Sequence, residues 1–242
     1  MSQTIAIFGA GPALGASVAR RFGREGFRVA LVSRNRAKLD GYVSELARDG
    51  IEAAAFTADL ADRTRAVEVV GEIERALGPI DVLEYSPGPL DARVVPVRDL
   101  EPDDLEPMFD LRLRTPIAVT RAVLPHLLES AAGGALLYAF GTQPRHPDPS
   151  LDNVGVAQAA LLHHVHNLHA SLAGDDIYAG ALLIDGLIDG SEIQHLLRTG
   201  GANHLPDGLD EIEYPTVSPD RLADRYWDMY VKRDRVEELV IA

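Results

Sequence analysis

Three observations predict an α/β chain folded as one doubly wound parallel sheet with helices on both faces. Short apolar runs alternate with segments whose apolar residues recur at helical spacing. A glycine-rich turn, Gly9 to Gly15, joins the first run to the first such segment. No internal repeat, low-complexity tract or linker divides the 242 residues, a length that α/β chains often fill with a single domain.

In chain order, Thr4 to Phe8 reads as a buried strand, and Leu14, Val18, Ala19 and Phe22 as the apolar stripe of the helix after it. Arg28 to Val32 is the second strand. Asn35 is placed to cap a helix that carries Leu39, Val43 and Leu46 and ends near Gly50. Glu52 to Thr57 forms the third strand. Asp62 to Leu77 is a helix with Val67, Val70, Ile73 and Leu77 on one face, and Ile80 to Tyr85 is the fourth strand. Pro102 to Phe109 reads as a short helix and Leu111 to Ser130 as a longer one, with Pro116 near its start and Pro125 expected to disturb its end. Gly134 to Phe140, Ile177 to Ile184 and Val236 to Ile241 complete the strands, and Leu151 to Leu172 and the aromatic segment Arg221 to Lys232 the helices. The polar stretch Gly190 to Ser218 reads as a lid over a site rather than a second domain.

Composition narrows the function. Lys and Arg number 23 against 37 Asp and Glu, a net charge of −14 with no basic block, so nucleic acid and anionic membranes are poor partners. The chain has no cysteine, which excludes disulfides, thiolate nucleophiles and Cys-ligated zinc. No apolar run approaches the roughly 18 residues of a membrane span, and no basic region precedes the first run. A soluble cytoplasmic protein acting on a small molecule is the expectation.

In the turn, Gly9, Gly11, Ala13, Leu14 and Gly15 stand where a strand must bend sharply into a helix whose N–H groups point outward, an arrangement that cradles a pyrophosphate. With the alternation of strands and helices, this points to a Rossmann-like dinucleotide-binding fold, against the plainer reading of a structural tight turn. At the end of the second strand, where NAD-binding folds often place an acid on the ribose, the chain has Ser33, Arg34 and Asn35. An arginine there pairs with a 2′-phosphate, which favours NADP over NAD; the alternative is a solvated charge beside Arg36 and Lys38.

With those residues in view, the whole chain resembles the short-chain dehydrogenase/reductase family. The Gly9–Gly15 segment is similar to that family's Gly-x-x-x-Gly-x-Gly, with Ala13 in the middle glycine's place. Asp59-Leu60 resembles its Asp-apolar pair, which implies contact with adenine, and the resemblance continues through Gly78 to Gly88 and Val119 to Leu128. It implies NADP bound also by Ser86 and Gly88. The catalytic pattern departs from the family. Its Asn-Asn-Ala-Gly stands here as Tyr85-Ser86-Pro87-Gly88, its helix asparagine aligns with Arg112, and its serine aligns with Gly141, next to Thr142. Its Tyr-x-x-x-Lys pair falls on Val154 and Gln158, and no other Tyr-x-x-x-Lys occurs in the chain.

Hydride transfer to a carbonyl leaves an alkoxide that needs an acid or a stabilising charge, and neither valine nor glutamine supplies one. The segment Phe140 to Asn153 should line the mouth of the site and offers Thr142, Gln143, Arg145, His146, Asp148, Asp152 and Asn153. Thr142 and His146 are the substitutes chosen, an imidazole being the side-chain type suited to proton transfer near neutrality, with Arg112 holding an anionic group. A packing role for Tyr85, idle solvation of His146 and a surface ion pair for Arg112 are the competing readings. His163, His164, His166 and His169 share a helix, but no carboxylate joins them there, so no metal is expected. The family resemblance implies instead a homodimer or homotetramer through the 111–130 and 151–172 helices. Two functions fit: an NADP-dependent oxidoreductase with a non-standard active site for a small carbonyl, imine or enone, or a non-redox protein on the same scaffold, whether cyclase, isomerase, lyase or silent nucleotide-binding partner.

Overall fold

Every residue of β1 (Thr4–Phe8) and β4 (Val82–Tyr85) is buried, as only the middle of a sheet covered on both faces allows. The computed structural model describes residues 2–88, 93–130, 133–199 and 214–242. Its other sheet strands are β2 (Arg28–Ser33), β3 (Ala53–Thr57), β5 (Gly134–Gly141), β6 (Ile177–Asp185) and β9 (Glu237–Ile241). All seven run parallel, in the order β3-β2-β1-β4-β5-β6-β9. The short strands β7 (Leu187–Ile188) and β8 (Thr216–Val217) pair with each other outside that sheet. The winding reverses between β1 and β4, and ligands bind beyond the carboxyl ends of the strands at such a switch point.

Strand alternation sorts the core into two layers. Ile5, Ile7, Leu31, Val82 and Leu137 face α1 (Leu14–Arg24), α2 (Arg36–Arg48) and α8 (Pro219–Lys232). Ala6, Phe8, Val32, Tyr85 and Tyr138 face α3 (Arg63–Leu77), α5 (Thr115–Glu129) and α6 (Asp152–Leu172). Helix α8 is held along α1 by rings: Trp227 meets Phe22 edge-on at 5.2 Å, and Arg21 lies 4.7 Å over the Trp227 ring.

The predicted elements are present, with shifts that have local causes. The fourth strand begins at Val82 rather than Ile80, because Asp81 turns its carboxylate to the Thr4 amide at 2.7 Å. The buried stripe of α3 is Ala66, Val69, Val70, Ile73 and Leu77, without Val67. The helix expected over 111–130 is interrupted. After Pro102–Leu105, a 3₁₀ turn, come α4 (Glu106–Phe109), one turn of π-helix at Asp110–Arg114, and only then α5. Pro116 follows the π-turn directly, and the Leu111 carbonyl five residues before it accepts from the Tyr85 hydroxyl instead of from a backbone N–H, while Pro125 lies within a helix that continues to Glu129. The expected lid lies partly outside the described residues; its described part holds α7 (Glu192–Thr199) and β8.

The turn after β1 is set by close approach. Gly9 and Ala10 both donate to the Val32 carbonyl, at 2.9 and 3.0 Å. Gly9 has φ +101°, and a Cβ there would stand 2.5 Å from the Pro87 nitrogen, while one on Gly15 would stand 2.8 Å from the Ala10 Cα. Gly26, at φ +90°, has open space where a Cβ would go. Gly26→Ala should therefore cost about 1–2 kcal/mol from backbone strain alone. Gly9→Ala should cost at least about 1 kcal/mol more, because the collision with Pro87 adds to the same strain. Urea denaturation of the two variants measures that difference, and equal costs would show that the approach to Pro87 is unimportant.

Candidate nucleotide and active site

The turn has the form of an anion cradle. Gly11 would place a Cβ no nearer than 3.9 Å to any neighbour, so its backbone faces open space, unlike Gly9 and Gly15. Ala13, at the N-cap of α1, has no side chain to satisfy the helix's first N–H groups, and the first turn of α1 carries no acid. Those N–H groups and the helix dipole suit a pyrophosphate. Beside Pro12, a cleft of about 680 Å³ opens between Lys38 and Tyr42 of α2 and Gln194, His195 and Arg198 of α7. An ion pair from Lys38 to Glu192 ties α7 to α2 across it.

Ser33 closes β2 and gives its carbonyl to the Ala58 amide at 3.1 Å, while Arg34 and Asn35 follow on the exposed rim. Asn35 is the predicted cap: its Oδ1 accepts from the Lys38 amide at 3.1 Å. Asp59 bonds its own turn, accepting from the Ala61 amide at 3.0 Å, and Leu60 is buried behind it. After β4, the Ser86 amide donates to the Phe8 carbonyl at 2.9 Å, which holds Ser86–Gly88 against the Gly9 turn. The nucleotide candidates thus share one edge of the sheet.

Val154 and Gln158, which the resemblance aligns with a Tyr and a Lys, are engaged in packing and in a backbone contact. Val154 is buried against Val94, Met108 and Ala157. Gln158 is buried too, and its Oε1 accepts from the Gly141 amide at 2.9 Å, closing the end of β5. Asn153 pins the segment before α4, accepting from Val95 N at 3.0 Å and donating to Arg93 O at 2.9 Å. Gln143 folds over Gly141, where a Cβ would stand 2.2 Å from its Oε1. Thr142 is half-buried, and its carbonyl accepts from the amides of Arg145 and His146, both at 2.8 Å. The His146 side chain is exposed and forms no hydrogen bond among the described residues. Arg145 turns away to Glu237 on β9, which His166 also contacts. Tyr85 does not reach the site: its ring is enclosed and its hydroxyl donates to the Leu111 carbonyl at 2.7 Å.

Arg112 does reach the carboxyl edge of the sheet. It lies in the π-turn, 9% exposed, beside Tyr85 at the end of β4. Asp110, its expected surface partner, pairs with Arg114 instead, at 3.0 Å. No described residue forms a hydrogen bond or ion pair with Arg112, and its Nε and the neighbouring Thr115 hydroxyl are enclosed without partners. Burial pushes the guanidinium down to about 10, with Tyr85 opposing, so it is charged at neutral pH. A buried cation without a counter-ion is a site that an anion completes. No hydrogen bond among the described residues joins it to Thr142 or His146.

Glu84 was not singled out by sequence reasoning, although an acid inside the apolar run of the fourth strand was its signal. It is wholly buried in β4, on the α8 side, and burial pushes its carboxyl up to about 8, against the pull of the Ser86 and Tyr226 hydroxyls. Both carboxyl oxygens, the Ser86 Oγ and the Tyr226 hydroxyl are enclosed, and none reaches hydrogen-bond geometry.

A family model described as short chain dehydrogenase matches residues 3–183. A short chain dehydrogenase of Pseudocercospora fijiensis is 29% identical over 183 residues, which span 74% of this chain and 58% of that protein. Sulfoacetaldehyde reductase 2 of Chromohalobacter salexigens is 27% identical over 221 residues, spanning 91% of this chain and 85% of that protein. Among solved structures, an actinorhodin polyketide ketoreductase with NADPH is similar at TM-score 0.83 and 19% identity, covering 99% of this chain and 96% of its own. A short chain oxidoreductase of Pseudomonas aeruginosa PAO1, said to contain an atypical catalytic center, is similar at TM-score 0.82 and 18% identity, covering 99% and 95%. These structural likenesses establish the fold.

The raised carboxyl of Glu84 has a consequence for stability. Between the ordinary carboxylate range and about 8 the native state holds a proton that the unfolded chain has released, so stability falls as pH rises through that window. Below the window the contribution is fully present. Glu84→Gln, which cannot ionise, should therefore gain stability relative to the parent as pH is raised from 5 to 8, measured as the difference in thermal midpoints. A constant difference would mean that Glu84 is ionised throughout.

Proposed function

The chain belongs to the short-chain dehydrogenase family, and on that footing we propose that it is an NADP-dependent oxidoreductase for a small carbonyl, imine or enone compound that carries an anionic group. The observation that carries the reading is Arg112: a buried guanidinium whose enclosed Nε has no partner among the described residues, at the carboxyl edge of the sheet, where the resemblance expects an asparagine.

The residues present fit the nucleotide. Open backbone at Gly11, the uncapped start of α1 and the cleft beside Pro12 would take the pyrophosphate. Arg34, Ser33 and Asn35 would take the 2′-phosphate, Asp59 and Leu60 the adenine, and Ser86 and Gly88 the ribose side of the nicotinamide. NADPH, when bound, supplies the hydride. Arg112 would hold the substrate's anion or oppose the negative charge that develops on its oxygen, and Thr142 would donate a hydrogen bond to that oxygen. His146, on the same turn, would deliver the proton from the solvent side. α7, tied to α2 through Lys38 and Glu192, belongs to the lid of this site. The same reading includes cytoplasmic location and assembly into a homodimer or homotetramer through α5 and α6, where Leu128 and Val156 are exposed. Among the described residues no helix is long and apolar enough to cross a membrane.

A second reading has its own observation. Val154 and Gln158 are both consumed by packing and by the cap on Gly141, so the family's usual proton donor has no successor in place. That favours a non-redox protein on the same scaffold, a cyclase, isomerase, lyase or nucleotide-sensing partner. A panel of carbonyl compounds incubated with NADPH separates the two: oxidation of NADPH supports the first reading, and tight NADPH binding with no turnover supports the second.

Two substitutions probe the first reading residue by residue. Arg34→Ala should weaken NADPH about ten- to a hundredfold, the equivalent of roughly 1.5–3 kcal/mol for a charge-assisted bond, and leave NADH affinity unchanged. An unaltered NADPH preference in titration calorimetry would make Arg34 a surface charge only. Arg112→Met should lower kcat/KM for carboxylate-bearing substrates by a similar factor while NADPH affinity holds. Equal losses on anionic and neutral substrates would refute the anion role.

A further inference from the structure

The polar group buried deepest near the turn is one that the proposed chemistry leaves idle. Glu84 projects from β4 between Ile7 of β1 and Leu137 of β5, in the layer covered by α1 and α8. The groups that face it are Ser86 from the end of the same strand and Tyr226 from α8, with Tyr178 of β6 acting on Tyr226 in turn. No charged side chain is among them. The ionic groups of α1 and α8 pair with one another, Arg20 with Asp220, which also accepts from the Ser17 hydroxyl, and Arg21 with Asp224. Four oxygens therefore face one another in an apolar layer without a closed hydrogen bond. Such a cluster is costly unless it serves something, because each buried polar atom left unpaired forfeits its hydration.

What it adjoins is the nucleotide turn. Ser86 is the hinge: its hydroxyl belongs to the cluster, its amide is bonded to the Phe8 carbonyl, and the next residue, Pro87, is the backbone against which Gly9 is packed. We propose that Glu84 is a positioning residue for the nucleotide pocket: with a proton on its carboxyl, Glu84, Ser86 and Tyr226 close into one hydrogen-bonded chain that holds Ser86–Gly88 against the Gly9 turn, and loss of that proton loosens the turn and weakens nucleotide binding.

The geometry gives the sign. A neutral carboxylic acid both donates and accepts, so it can close a chain between two hydroxyls within an apolar layer. A carboxylate there is a buried charge with no counter-ion, whose desolvation outweighs what two hydroxyls donate, and it draws the strand end outward, toward water. By linkage, a nucleotide that favours the closed turn also favours the protonated acid, so binding takes up a proton in the range where Glu84 titrates, near 8.

This inference rests on the reading of Gly9–Gly15 as a nucleotide site, and its test separates the two. NADPH affinity is measured from pH 7 to pH 9 by titration calorimetry, in two buffers of different ionisation enthalpy so that proton uptake is read directly. The parent protein should lose about tenfold in affinity over that range and take up part of a proton near pH 8. Glu84→Gln, a permanently neutral isostere, should show neither effect and keep the parent's neutral-pH affinity. Tyr226→Phe removes one link of the chain without touching a residue placed at the nucleotide, so its affinity at pH 7 should fall toward the parent's value at pH 9 and vary little with pH. That variant decides the matter if Glu84→Gln does not fold: a pH profile in Tyr226→Phe identical to the parent's would overturn the proposal. A parent and a folded Glu84→Gln that lose affinity in parallel, or a parent with flat affinity, would overturn the proposal while leaving the nucleotide site intact. A folded parent that binds no NADPH at any pH would instead overturn the nucleotide site, and this inference with it.

Discussion

Two backbones, at Gly9 after β1 and at Pro87 after β4, run so close that no side chain fits between them, and the site is arranged around that contact. β1 and β4 are adjacent and parallel, with Phe8 in register with Tyr85, so their continuations must diverge at the switch point or collide. Gly9 takes a left-handed conformation and turns its N–H to Val32 of the strand on the other side. The chain then has room to enter α1 with its N–H groups directed outward. Gly11 is under no such constraint, with open space before it where the proposed pyrophosphate would approach. Of two glycines two residues apart, one is thus required by the packing of the fold and the other is not.

How much of this could be read from sequence depended on how far each feature reaches along the chain. The strands, the Asn35 cap and the bounds of α1 and α2 arise from contacts among near neighbours, and the apolar spacing carried them. Val154 and Gln158 were visible as identities, but what those residues do was not. Gln158 caps Gly141 only because α6 crosses the end of β5, a contact made by the topology. The same holds for Arg112, whose expected partner Asp110 is one helical turn from Arg114 and was taken by it. His146, chosen for its side-chain type, proves to be solvent-exposed on its turn, and chemical type alone carries no information on placement. Glu84 was hidden by its surroundings, since an acid flanked by apolar residues scans as part of a strand, and its importance lies in a tyrosine far along the chain.

Arg112 and Glu84, both buried, are held in opposite states by the same low-dielectric interior. Arg112 keeps its charge, because even when lowered by burial a guanidinium titrates well above neutrality. Glu84 gives its charge up across most of the neutral range, since a carboxyl has less distance to travel before the proton stays. The sheet therefore carries a fixed positive charge near one face of its carboxyl edge and a titrating acid under the other. Tyr85 and Glu84, adjacent in sequence and pointing to opposite faces, form the partition between them.

The turn of π-helix at Asp110–Arg114 gives this protein a dependence on length as well as on identity. A π-turn accommodates one residue more than an α-helical turn over the same span, and each residue of a helix advances the side-chain direction by roughly 100°. The direction in which Arg112 points is thus fixed by how many residues separate α4 from Pro116, and not by the arginine itself. Among relatives, an arginine conserved at this position without the extra residue would face elsewhere. A register count across this short segment is therefore a better marker of an arginine held in this place than the presence of the residue.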